Sequence, residues 1–324
     1  MNERNISSYV FCLTLVIAFS LVSSTAMAYV LSTTKTGGDC SAIGVWNAKT
    51  KTCTLSKDIH YSESSLVIDS NPVIVKVDAG GITLDGNGHS VVGSALDTEI
   101  GIYIAQRGVT VKNVTVTGCA YGIFLTEAVR NKISNNSLSN NMYGLSITTN
   151  SNNNTITGNT ASYSSFAGIF LGNTANGNNL SSNTVMNSGY GIALFGMCSN
   201  NSLTGNSLSN NWTGVFANDL SNSNIISENT FFTDAGGIGN GIVFQNVTEN
   251  NIVHRNNFIN NTAVSSPDSI NFYNLSTGGN YWSSFDTPEE GCNDANNDGF
   301  CDQPFTTATG VIDYLPWTTQ DGWK

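Results

Sequence analysis

The residues with the most pointed chemistry lie near the C-terminus, in the run Asp294-Ala295-Asn296-Asn297-Asp298-Gly299-Phe300-Cys301-Asp302. Oxygen donors at its first, third and fifth places, a glycine at the sixth, a main-chain oxygen at Phe300 and a carboxylate at Asp302 follow the first half of a calcium-binding EF-hand loop. The twelfth place, where such a loop carries a bidentate Glu, is Phe305. Charge favours a cation here, because eight acids fall between Asp286 and Asp321 with no base before Lys324. The expected ligand set is therefore Asp294, Asn296, Asp298, Phe300 and Asp302 around Ca²⁺. The competing reading is a polar loop tied by Cys292 and Cys301.

Catalytic groups are sparse. Between Gly101 and Ser283 the carboxylates are Glu127, Asp219, Glu228, Asp234, Glu249 and Asp268, against the bases Arg107, Lys112, Arg130, Lys132 and Arg255. Glu228 and Arg255 share a repeat position, His254 precedes Arg255, and Asp234 follows one turn on. These four are the candidates for sugar-bond chemistry, although a surface ion pair explains Glu228 and Arg255 equally simply. A glycoside hydrolase needs two carboxylates facing one cleft. The register yields no such pair.

A third set is apolar. Phe124, Phe170 and Phe216 stand two residues after a recurring glycine, between residues that point inward, so strand alternation directs them to solvent. They recur every second repeat, about 9.6 Å apart at twice the strand spacing. Rings so placed could stack on sugars of an extended glycan, and these three are the expected ligand-binding residues.

What must position all of them is the repeat. Gly122, Gly144, Gly168, Gly191, Gly214 and Gly241 are 22, 24, 23, 23 and 27 residues apart. A parallel track runs through Asn113, Asn136, Asn159, Asn183, Asn206, Asn229, Asn256 and Asn280. Two short alternating strands per period, one through Ile123 and Leu125 and the other through Leu138, predict an all-β, single-stranded right-handed parallel β-helix of about 23 residues per rung. No rung can bury its own face, so neighbours must stack and the ends must be capped. An Asn that recurs over itself every ~4.8 Å can donate its amide to the carbonyl oxygen of the next, so Asn136, Asn159, Asn183, Asn206, Asn229 and Asn256 are read as structural.

The run GGITLDGNGHSVVG from Gly80, the YGI…NNxIxxNxxxxN rungs and GGNYWSSF from Gly278 with the Asp/Asn-rich loop after it resemble NosD-like parallel β-helix proteins. The resemblance covers about Gly80 to Trp317. It implies a fold similar to carbohydrate-binding and sugar-hydrolysing β-helices, and through the family name it suggests periplasmic copper delivery. Copper is not expected here: His60, His89 and His254 lie far apart in the chain, and Met142, Met186 and Met197 fall at unrelated rung positions.

Residues 1–28 read as a signal peptide, with an apolar run from Tyr9 to Val22 and cleavage after Ala28. Beyond it no stretch is long and apolar enough to span a bilayer. The expected layout is an N-terminal cap over 29–65, the β-helix over 66–283 and a C-terminal cap over 284–324. In an exported chain, Cys40 with Cys53 and Cys292 with Cys301 form two local disulfides, and Cys119 and Cys198 are separate buried thiols. A net charge of −11 argues against nucleic acid. The leading expectation is a secreted or cell-surface protein that binds a glycan or another surface component without catalysis. A polysaccharide lyase or hydrolase stands second, and a copper-delivery protein third.

Overall fold

The computed structural model describes residues 28–61, 66–95, 98–234, 239–265 and 269–324. The signal peptide, apart from Ala28, and Asp268 lie outside them. The described chain winds as a right-handed parallel β-solenoid of about 9 turns. Each regular rung lays down three strands, not two. Six-residue strands such as Tyr121–Thr126 and Tyr143–Thr148 stack into sheet A, three-residue strands such as Lys132–Ser134 into sheet B, and Ser137–Ser139 and its equivalents into sheet C. Among the described residues these sheets hold 11, 10 and 10 strands. Sheet B was not expected as a separate sheet. Its column, Val111, Ile133, Ile156, Leu180, Leu203, Ile226 and Val253, has one inward residue per strand as sheet C does, and only the left-handed residue between the two strands divides them.

The expected inward ladders are in place. Ile123 pairs with Leu145 and Leu125 with Ile147, all fully buried. On sheet C the column ends in a stack of rings, Phe231 on Phe258 at 4.9 Å and Phe258 on Trp282 at 4.1 Å. The repeat glycine is required by close approach. A Cβ on Gly122, Gly144, Gly191 or Gly214 would sit 2.5 Å from the carbonyl oxygen of the glycine one rung on.

All three corners use one device, a left-handed residue followed by an inward polar one. Between sheets B and C the pairs are Asn135-Asn136, Gly158-Asn159, Ser182-Asn183, Gly205-Asn206, Glu228-Asn229 and Arg255-Asn256, the first member at φ between 54° and 66°. The inward amides form the expected ladder and are fully satisfied. Asn159 Nδ2 donates to Asn183 Oδ1 at 3.0 Å and to the Ile133 carbonyl at 2.9 Å, while its backbone N–H also donates to Asn183 Oδ1 at 3.0 Å. A second ladder, not anticipated, runs up the corner between sheets A and B through Asn154, Asn178, Asn201, Asn224 and Asn251. Asn113 is a correction. Strand pairing places it opposite Asn135, so it is exposed and donates to Asp85, and Val114 holds the ladder position instead. The rung is one residue shorter there than an Asn-to-Asn count assumed.

At the N-terminal end Tyr29–Leu31, Thr52–Leu55 and Ile59–His60 extend sheets A, B and C, and a one-turn helix, Cys40–Ile43, closes over the core. The disulfides Cys40–Cys53 and Cys292–Cys301 form as expected. Cys119 and Cys198 are buried far apart in the stack.

At the far end the ladder finishes on an acid. Asp313, fully buried, accepts from the Asn280 N–H at 2.7 Å, the Trp282 indole at 2.9 Å and the Leu315 N–H at 3.1 Å, where a further Asn would otherwise stand. Burial outweighs these donors and pushes its carboxyl up to about 6.

Two outcomes follow. Replacing Asn183 with Leu strands several buried donors and acceptors, so urea unfolding should show a loss of about 3–5 kcal/mol. Because the folded pKa of Asp313 lies above its unfolded value, the contribution is full below about pH 4 and is lost as pH rises through about 6. Wild-type stability should therefore fall by up to about 3 kcal/mol between pH 4 and pH 7.5, and Asp313→Asn should remove that component of the slope.

Candidate functional site

The outer face of sheet A carries rings along most of its length. Strand pairing stacks Tyr121 on Tyr143, and Phe124, Ser146, Phe170, Ala193 and Phe216 share the next outward column. The rings touch continuously. Tyr103 meets Phe124 at 6.0 Å, Tyr121 lies over Phe124 at 4.8 Å and on Tyr143 at 5.0 Å, and Tyr143 reaches Phe170 at 5.2 Å. Phe195 then bridges Phe170 and Phe216, and Tyr190 joins Phe216 to Trp212.

This corrects the expectation for Phe124, Phe170 and Phe216. Their outward direction is right, but Phe124 and Phe216 are only 7% and 8% exposed and Phe170 is half-buried. The alternation of Phe with Ser146 and Ala193 goes with packing: rings from adjoining rungs close over each Phe, as Tyr143 at 5.2 Å and Phe195 at 5.7 Å do over Phe170. The surface belongs instead to half-buried Tyr121, Tyr143, Phe166, Tyr190 and Phe195. Burial raises the phenol pKa of Tyr121 and Tyr143, so both hydroxyls stay protonated as donors. Tyr121, Tyr143 and Tyr190 were visible in the sequence as the residue before the repeat glycine.

The four catalytic candidates do not converge. Glu228 and Arg255 are the left-handed residues of adjacent B-to-C corners, and no ion pair within 4.0 Å joins them. His254, at the end of its sheet B strand, has its pKa lowered by burial and by Arg255, against a smaller opposing effect of Glu228. Asp234 lies past Thr230–Phe232, some 10 Å of strand away, and is bound to Asn210. Glu228 and Asp234 therefore do not face one another across a cleft.

In the C-terminal loop the expected donors fold around backbone N–H groups. Asp294 accepts from Asp298 and Gly299, Asp298 from Phe300 and Asp302 from Ala295, each at 3.0 Å. Among the described residues no three carboxylate, imidazole or thiolate side chains come together at metal-holding distance. Copper donors fit no better. Met142 and Met197 are exposed at different corners, His60, His89 and His254 stand on separate strands or corners, and burial pushes the Cys198 thiol up to about 11, against the thiolate copper prefers.

Asn-laddered corners, three parallel sheets and an aromatic outer face define the class as a parallel β-helix. The family profile described as "Periplasmic copper-binding protein (NosD)" matches residues 64–235, more than half of the chain, and the chain belongs to that family. No protein of curated function matches it. Among solved structures, DFA-IIIase from Arthrobacter chlorophenolicus A6 without its lid superposes with a TM-score of 0.50 at 13% identity, covering 65% of this chain and 64% of that one. The same enzyme in complex with DFA-III gives 0.49 at 15% identity over 64% of this chain, which spans 56% of the enzyme's length. The Azotobacter vinelandii mannuronan C-5 epimerase AlgE6 A-module gives 0.47 at 13% identity, covering 71% of this chain and 73% of that one. At such identities the likeness is one of fold. Among the described residues no helix is long and apolar enough to cross a membrane.

If the phenylalanines are packing groups, Phe216→Ala should lower stability by about 2–4 kcal/mol in urea, as for a buried ring. Trp212→Ala, at an exposed position, should change it by less than about 0.5 kcal/mol.

Proposed function

We propose that this protein is an exported, non-catalytic β-helix that holds a polysaccharide along the aromatic face of sheet A and the polar flank beside it. The observation that carries the reading is the unbroken band of rings from Tyr103 to Trp212, with half-buried tyrosines on top. Apolar ring faces stack on the CH faces of sugars, while phenol edges reach sugar hydroxyls. The solenoid repeats such a surface at a constant step, which suits a polymer better than a single small ligand. Two disulfides support passage to an oxidising compartment, at the cell surface or in the periplasm. Separation of Glu228 from Asp234 supports binding over cleavage.

Calcium is assigned to the Asp294–Asp302 loop as a support for the C-terminal cap: each carboxylate there keeps lone pairs beyond the N–H groups it already accepts. Affinity electrophoresis and a reducing-sugar assay, each with calcium and with chelator, test the whole reading. Retention by polysaccharide without release of reducing ends is expected, weakened about tenfold or more in Tyr143→Ala. Calcium should raise Tm and slow proteolysis of the tail. Sugar release would replace binding by catalysis, and equal Tm with calcium and with chelator would remove the cation.

A further inference from the structure

The corner between sheets C and A carries a departure from its own rule. The residues that follow equivalent sheet C strands in left-handed conformation are Gly118, Asn140, Tyr163, Asn187, Asn210 and Asn260, at φ between 53° and 72°. Glycine and asparagine accept that region readily, and a bulky aromatic does not. Tyr163 gains no burial in exchange, being 60% exposed. Left-handed corner residues throw their side chains outward, and here the side chain so presented is an aromatic ring that stands largely in solvent.

Its surroundings suit a ligand. Tyr163 borders a hollow of about 500 Å³ lined by Thr117, Gly118, Asn140, Asn141 and Ser165. Two rungs further along the same corner Trp212, 62% exposed, borders a second hollow of about 660 Å³ lined by Asn240, Asn260, Asn261, Ser283 and Glu290. Backbone bonds from Tyr163 N to Met186 O and from Asn187 N to Ser209 O place Asn210 two rungs from Tyr163, and Trp212 stands two residues beyond Asn210. Two rungs amount to about 9.6 Å along the axis, comparable to one disaccharide of an extended chain, with the two-residue offset displacing Trp212 sideways across the corner. Trp212 also touches Tyr190, so the corner is continuous with the aromatic face.

Charge selects among glycans. Among the described residues neither hollow is lined by Lys or Arg, the one carboxylate lining them is Glu290, and the whole chain carries −11. A polyuronate would meet repulsion with no cation to offset it, whereas amides and hydroxyls pair with neutral sugar hydroxyls. Resting on the glycan-binding reading, we infer that this corner is a groove for a neutral, carboxyl-free polysaccharide, with Tyr163 and Trp212 as platforms for sugar rings.

The test uses the full exported chain and four probes: hydroxyethyl cellulose and galactomannan as neutral polymers, alginate and polygalacturonate as charged ones. Tyr163→Asn restores the residue type of its column, so Tm should rise by about 2 °C while retention by a neutral polymer falls about tenfold. Trp212→Ala should weaken retention similarly with Tm unchanged, and added salt should leave wild-type retention unaltered. Retention unchanged in both variants, or confined to the polyuronates, overturns the inference. Weakening by Tyr143→Ala alone overturns it while leaving the glycan-binding reading intact, and a wild-type chain that retains none of the four probes removes both.

Discussion

The whole molecule depends on like stacking over like. A short rung has too few backbone groups to satisfy itself, and at each corner the chain turns sharply enough to leave N–H and carbonyl groups facing the core. The inward asparagines resolve this by taking up an N–H and a carbonyl of the preceding rung while donating to the amide oxygen of the next, as Asn159 does with the Asn136 N–H, the Ile133 carbonyl and Asn183 Oδ1. Each amide is both a corner brace and a spacer, and a shift of one residue would orphan a buried donor on every rung it touched.

That constraint explains the composition of the surface. With corners committed to Asn and Gly and interiors to Ile, Leu, Val and Phe, chemical freedom remains only on the outward positions of the strands and on the left-handed corner residues. Sheet C spends its outward positions mainly on Ser and Thr, and sheet A on rings. Glu228, Arg255 and Tyr163 all occupy left-handed corner positions, where side chains are thrown outward without disturbing the core. The fold thus separates what holds it together from what it can touch.

The ends follow the same logic with different means. A one-turn helix and a hairpin held by Cys40–Cys53 close one mouth. At the other, the aromatic column continues from Trp282 to Phe305 of the tail at 4.6 Å, and a single buried carboxylate receives the last amides. Once ionised, above about pH 6, an acid in place of an Asn offers only acceptors to the donors that reach the end of the ladder.

Periodicity was open to the sequence, because spacing along the chain is spacing along the axis once rungs stack. It determined the β-helix, the inward columns of sheets A and C, the principal Asn ladder and the outward direction of Phe124, Phe170 and Phe216, while the closeness of the cysteines in pairs pointed to both disulfides. Tertiary structure alone decided the rest. That sheet B stands apart from sheet C depends on the left-handed residue before each ladder Asn, which turns the chain between two columns of single inward residues. Asn113 lost its ladder place to Val114 because register is set by pairing and not by counting. Whether an outward ring is exposed depends on rings from adjoining rungs, which no position in the chain records. The conformation of Tyr163 was likewise invisible, since its strain exists only where the neighbouring rungs fix the corner around it.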